Sequence, residues 1–195
     1  MKVLFLDFDG VLNEYYPNNE RLLSENFDHY FKQYKESKNF IHEVMNKYNL
    51  KEQYPKAPWL GAIEDLDFDK VRILNRVVKE TGCKIVFSTS WRGMGIENLA
   101  LYLTLTGFMY PRSCIGTTGH KSGTIIYEGE PMKIGSCRGL EIKDWLEEHP
   151  ETKSFAILDD EGFDINTFYQ DEFVQVKGLT EKDADSIINI LNKED

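Results

Sequence analysis

Four short apolar runs punctuate the chain, at Lys2–Leu6, Lys84–Phe87, Ser154–Leu158 and Phe173–Val176, each of a length suited to a buried strand. Between them, apolar residues recur at helical spacing. Val71, Leu74, Val77 and Val78 predict a helix over Asp69–Thr81, with Gly82 as its stop. Leu140, Ile142, Trp145 and Leu146 predict a second over Gly139–His149, closed by Pro150. Ala184, Ile187, Ile188 and Leu191 predict a third over Glu181–Asn192, with Thr180 as N-cap and Asp183 completing an approximate capping box. Strands alternating with helices of this length predict a Rossmann-like three-layer α/β/α sandwich around a parallel sheet.

Residues 14–67 break the alternation. Phe27, Tyr30, Phe31 and Tyr34, then Ile41, Val44, Met45 and Tyr48, follow i, i+3, i+4, i+7 spacing, which predicts two amphipathic helices parted near Ser37–Asn39. The chain therefore reads as one domain over 1–195 with a helical, cap-like insertion at 14–67. Tyr15, Tyr16 and Trp59 stand near the insertion's two junctions, where rings could stack on a substrate.

Composition narrows the class. Of 195 residues, 41% are hydrophobic and 29% charged, as in ordinary globular proteins. A net charge of -10 argues against non-specific nucleic-acid binding, which needs a surplus of Lys and Arg. Apolar runs fall short of a membrane span, and the first strand starts at once with no signal-peptide pattern. Cys83, Cys114 and Cys137 match no zinc spacing and read as reduced thiols. A cytoplasmic protein with no membrane association and no obligate protein partner is the expectation. His29, His42, His120 and His149 are scattered, and no P-loop pattern is present. Met109–Tyr127 holds Arg112, His120, Lys121 and three glycines but no acid, and reads as a loop, solvated or mobile near a phosphate.

The chemistry gathers where apolar runs end. "VLFLDFDGVLN" (3–13) closes its strand with Asp7 and Asp9. "KIVFSTSWRG" (84–93) ends in Ser88, Thr89, Ser90 and Arg92, and "FAILDDEG" (155–162) ends in Asp159 and Asp160. In a parallel sheet these tips share one edge, where ligands bind. Carboxylates so gathered repel one another unless a hard cation neutralises them, and all-oxygen ligands suit Mg2+.

These motifs resemble the haloacid dehalogenase (HAD) superfamily of phosphatases. Its pattern ends the first strand in D-x-D-G and the second in Thr or Ser, puts Lys or Arg before the third, and closes with an acidic pair. "FSTSWR", "CRGLEIKDWLEEHP", "ILDDE" and "VKGLTEKDA" are similar to a small HAD group related to the phosphatase domains of RNA-repair proteins. The resemblance covers the first strand and most of 66–195.

The resemblance implies a magnesium-dependent phosphomonoesterase. Asp7 is the implied nucleophile and Asp9 the acid and base. Ser88, Thr89 or Ser90 is the implied phosphate-binding hydroxyl, with Thr89 favoured by its place two before Trp91. Arg138 or Lys143 is the implied phosphate-clamping cation, and Arg92 a further phosphate contact. The metal is assigned to Asp7, Asp9 (by its main-chain carbonyl), Asp159 and Asp160, the roles within the last pair staying open. The substrate class is a nucleotide, a polynucleotide end (RNA or DNA) or another small phosphate ester. The competing classes are a receiver-like phosphoaspartate signalling module, disfavoured because Asp7 follows the first strand, and a catalytically silent phosphate-binding protein.

Overall fold

The computed structural model describes residues 1–13, 45–47, 49, 66–127, 129–162 and 164–193. Its strands are β1 (Lys2–Leu6), β2 (Lys84–Phe87), β3 (Cys114–Thr117), β4 (Gly123–Tyr127), β5 (Glu130–Ile134), β6 (Ser154–Asp159) and β7 (Phe173–Gln175). Its helices are α1 (Phe68–Thr81), α2 (Ile96–Leu105), α3 (Arg138–Glu148), α4 (Ile165–Phe168) and α5 (Glu181–Asn192). Short 3-10 turns cover Ser90–Met94 and Pro111–Ser113.

Local chemistry sets the helix limits. The Asp67 carboxylate accepts from the Asp69 and Lys70 amides, satisfying donors that the first turn of α1 leaves open. Gly82 ends that helix at φ 66, a left-handed conformation where a side chain would be strained. At α5 the capping box is reciprocal: Asp183 N donates to Thr180 Oγ1, and Thr180 N donates to Asp183 Oδ2.

A five-stranded sheet has the order β3-β2-β1-β6-β7, with every pairing parallel. β1 therefore lies at the centre, covered on both sides, and its alternate residues feed different cores. Leu4 and Leu6, with Ile85, Phe87, Ala156 and Leu158, pack with Val71, Leu74, Leu99, Ala184 and Ile187 of α1, α2 and α5. Val3 and Phe5, with Val86 and Ile157, pack with Ile142 and Trp145 of α3 and Ile165 of α4. The Rossmann-like layering anticipated from the sequence is what forms.

The loop expected over Met109–Tyr127 is corrected. Its residues 114–117 form the edge strand β3, and 123–127 pair antiparallel with β5 in a separate hairpin. The β2–β3 register shifts between Ile85 and Val86, so Cys114 and Gly116 oppose consecutive residues and Ile115 is the extra one. Such an edge bulge breaks the apolar alternation by which a strand is recognised.

Of the predicted insertion, Met45–Lys47 is helical and Met45 is buried. The helix predicted around 27–34, the rest of the second one, and Tyr15, Tyr16 and Trp59 lie outside the described residues. Asp67 N donates to Leu12 O at 2.8 Å, so the chain returns from this segment beside the point where it left. Among the described residues no helix is long and apolar enough to cross a membrane.

Candidate active site

Backbone pairing continues one residue past the strand ends and aligns their tips. Asp7 N donates to Leu158 O at 3.0 Å, Ser88 N to Leu6 O at 2.9 Å, and Thr118 N to Phe87 O at 3.0 Å. Asp7, Ser88–Thr89 and Asp159–Asp160 thus emerge side by side. β1 and β6 are adjacent although the chain fills the β2–β3 side of the sheet between them. The tips flank the point where strand order reverses, the usual crevice of such sheets.

The segment after Asp7 is a pinned turn. Val11 N and Leu12 N donate to Phe8 O, while Gly178 N and Leu179 N donate to Gly10 O and Val11 O. Gly10 sits at φ 66, and a Cβ there would stand 2.3 Å from Asp160 Oδ2. Glycine is needed twice over, for its backbone conformation and for the carboxylate that lies against it.

Within this frame the Asp9 carboxylate has its own set of donors. Its Oδ1 accepts from Asn13 Nδ2 at 3.1 Å, and its Oδ2 from Trp91 Nε1 at 2.9 Å and Ser90 Oγ at 3.2 Å. Asn13 is fixed in turn by Gly10 N, which donates to its Oδ1 at 3.0 Å. The Trp91 ring stacks on Phe8 at 5.3 Å. The Asp9 carboxylate is thereby held by three donors on two strand tips.

The remaining acids form a tight group. Asp7, Asp159 and Asp160 each offer a carboxylate oxygen, all within 4.8 Å of one another. Asp7 and Asp159 are almost fully buried, and Asp7 Oδ1 and Asp159 Oδ2 have no hydrogen-bond donor. Arg138, first residue of α3, places Nη1 3.3 Å from each of these two oxygens and donates to Ser88 O. Burial pushes the Asp7 carboxyl above its ordinary range, opposed by Arg138 and by hydrogen bonds from Thr89 and the Phe8 amide. Burial and the charge of Asp7 push Asp159 up as well, again opposed by Arg138. One guanidinium answers only part of this negative charge. Clustered carboxylate oxygens, two of them buried without donors, fit a hard divalent cation held by oxygen.

The other residues singled out by sequence fall in different places. Thr89 is fully buried at the β2 tip, and its Oγ1 accepts from Trp91 N at 3.3 Å. Ser88 Oγ is buried with no hydrogen-bond partner, whereas Ser90 is exposed and turned to Asp9. Arg92 is buried with its guanidinium against Glu141, Oε1 to Nη2 at 3.1 Å. Lys143 stands outside the cluster, exposed and 3.8 Å from Glu147. Asn13, Trp91 and Glu141 were not singled out. Asn13 belongs to the first strand-end motif and Trp91 to the second, but the direction of their side chains is a property of the folded turns.

Fold and strand-tip chemistry together define a HAD-type domain. More narrowly, residues 3–184 match the family described as the HAD domain in Swiss Army Knife RNA repair proteins, and the chain belongs to that family. No curated protein and no solved structure matches it.

Proposed function

We propose that this protein is a phosphatase that hydrolyses phosphate monoesters through an aspartyl-phosphate on Asp7. The observation that carries the reading is the buried Asp7 carboxylate, central in the sheet, facing Arg138, Thr89 and the acidic pair at the end of β6. In the first step an Asp7 oxygen attacks phosphorus, and the bond to the leaving alkoxide breaks. Asp9 gives that alkoxide its proton. Asp9 then takes a proton from water, whose oxygen attacks phosphorus, breaks the bond to Asp7 and releases inorganic phosphate. Thr89 and Arg138 hold the phosphoryl oxygens through both steps, Arg138 as a planar fork suited to phosphate.

Asp7, Asp160 and the main-chain carbonyl of Asp9 would hold Mg2+, with Asp159 kept against Arg138. Bound there, the ion supplies neutralisation of charge between two anions that would otherwise repel. The family, named for RNA repair, favours a phosphate ester on a nucleotide or polynucleotide end as substrate. A panel of nucleotides, sugar phosphates and 3′- and 5′-phosphorylated oligonucleotides tests this directly. Phosphate release is expected from nucleotide-type substrates with Mg2+, falling to background in excess chelator. Full activity with chelator present would contradict the metal's role. Absence of release from every ester would leave a silent or receiver-like module as the better reading.

A further inference from the structure

Arg92 and Glu141 are unexplained by the chemistry above. Glu141 lies on α3 three residues after Arg138, and its side chain is 0% exposed. Its Oε1 accepts from Ser136 Oγ at 2.7 Å, Lys121 N at 3.1 Å and Arg92 Nη2 at 3.1 Å. Arg92 spans onward, Nη1 donating to Thr89 O at 3.1 Å. Its Nη2 also meets His120 Nδ1 at 2.9 Å and Ser136 Oγ at 3.3 Å. One carboxylate therefore joins four segments: the turn after β2, the stretch after β3, the approach to α3, and α3 itself.

We propose that Glu141 is a positioning residue of the phosphate site, acting through Arg92 to hold Thr89 and Arg138 in register. The proposal rests on the phosphatase reading. A planar guanidinium can bond Glu141 and Thr89 O at once, so it fixes the distance between the β2 tip and α3. Thr89 and Arg138 sit at the two ends of that span, and both face Asp7. Arg92 is a candidate phosphate contact from the sequence; in the structure its Nη1 and Nη2 bond protein partners and its buried Nε has none. Buried charge pairs contribute little net stability compared with apolar substitutes, whereas losing one partner leaves an uncompensated charge. Specific geometry is what such a pair can supply where stability is not.

Three variants test it against the wild type. The Arg92→Met/Glu141→Leu double variant removes both charges together and is expected to fold. Its kcat should fall about tenfold to a hundredfold, the scale of a small misplacement at a reacting centre, with KM changed less than about threefold. Glu141→Gln keeps an acceptor oxygen for Arg92, Ser136 and Lys121 N but loses the charge, so its kcat should fall less than in the double variant. Arg92→Lys keeps the charge facing Glu141 but cannot fork to Thr89 O, so the melting temperature should recover without kcat. Wild-type kcat in the double variant would overturn the proposal. So would a rise in KM and in the inhibition constant of inorganic phosphate confined to the Arg92 variants, which would make Arg92 a direct phosphate ligand. Failure of the phosphatase reading itself would appear separately, as an inactive wild type. In that case the clamp is read by hydrogen exchange, where faster exchange at 88–92 and 118–121 in the double variant supports it and unchanged exchange overturns it.

Discussion

Asp7→Asn is expected to reduce turnover by at least about a thousandfold, the scale seen when a nucleophile is removed from a catalytic unit. Asparagine is nearly isosteric, but its amide oxygen is too weak a nucleophile to form the phosphoryl-enzyme bond. The fold should not suffer. Asp7 is buried, and burial raises the cost of its charge. Arg138 keeps Asp159 as a counterion 3.3 Å away when Asp7 becomes neutral. Steady-state kinetics beside thermal melting in chelator should show lost activity with a melting temperature equal to the wild type or higher. Substantial activity in this variant would remove Asp7 from the role assigned to it. A collapse in stability would mean that the Asp7 charge is a structural requirement of the strand tip.

Arg138→Ala is expected to give the largest loss of stability. It strips the cation from between two buried carboxylates whose oxygens lie 3.3 Å from its Nη1. It also removes a donor to Ser88 O, which ties α3 to the β2 tip. Breaking a buried ion pair by deleting one partner costs about 3–5 kcal/mol. For a chain of this size that corresponds to a fall of roughly 10 °C in melting temperature. The deficit has a pH signature. Both carboxyls already have raised affinities for protons in the fold, and losing Arg138 raises them further. Protonation therefore favours the folded state, so the deficit should shrink as pH falls from neutrality and widen as pH rises. Adding Mg2+ at neutral pH should recover part of it. Melting curves of wild type and variant across pH, with and without Mg2+, check all three statements. A deficit that does not change with pH would mean that Arg138 stabilises mainly by packing.

The parts of this arrangement that sequence made legible share a physical cause. β1, β2 and β6 are covered on both faces, so they appear as unbroken apolar runs. The polar residues that end those runs stand out for the same reason. β3 was not legible, because an edge strand interrupted by Gly116 and bulged at Ile115 has no period to find. α2 escaped for the opposite reason. Leu99, Ala100, Leu101, Tyr102 and Leu103 are consecutive and all buried, leaving no polar face to mark helical spacing. Glu141 shows a third kind of failure. It lies beside the apolar positions Leu140 and Ile142, where a glutamate reads as solvated. Its burial depends on Arg92, Ser136 and Lys121, which only the fold brings to it. The same holds for the donors that surround Asp9. A strand's apolar run is written locally, but the partner of a buried charge is not.

The central claim is that phosphate passes through the Asp7 carboxylate, and trapping the acyl phosphate tests it most directly. Borohydride reduces an aspartyl-phosphate to homoserine, and peptide mass spectrometry then locates the altered residue. With Mg2+ and a nucleotide-type substrate, protein quenched during turnover should carry homoserine at position 7 and aspartate at positions 9, 159 and 160. Homoserine at another aspartate, or an unmodified Asp7 in protein trapped while steadily releasing phosphate, would contradict the account.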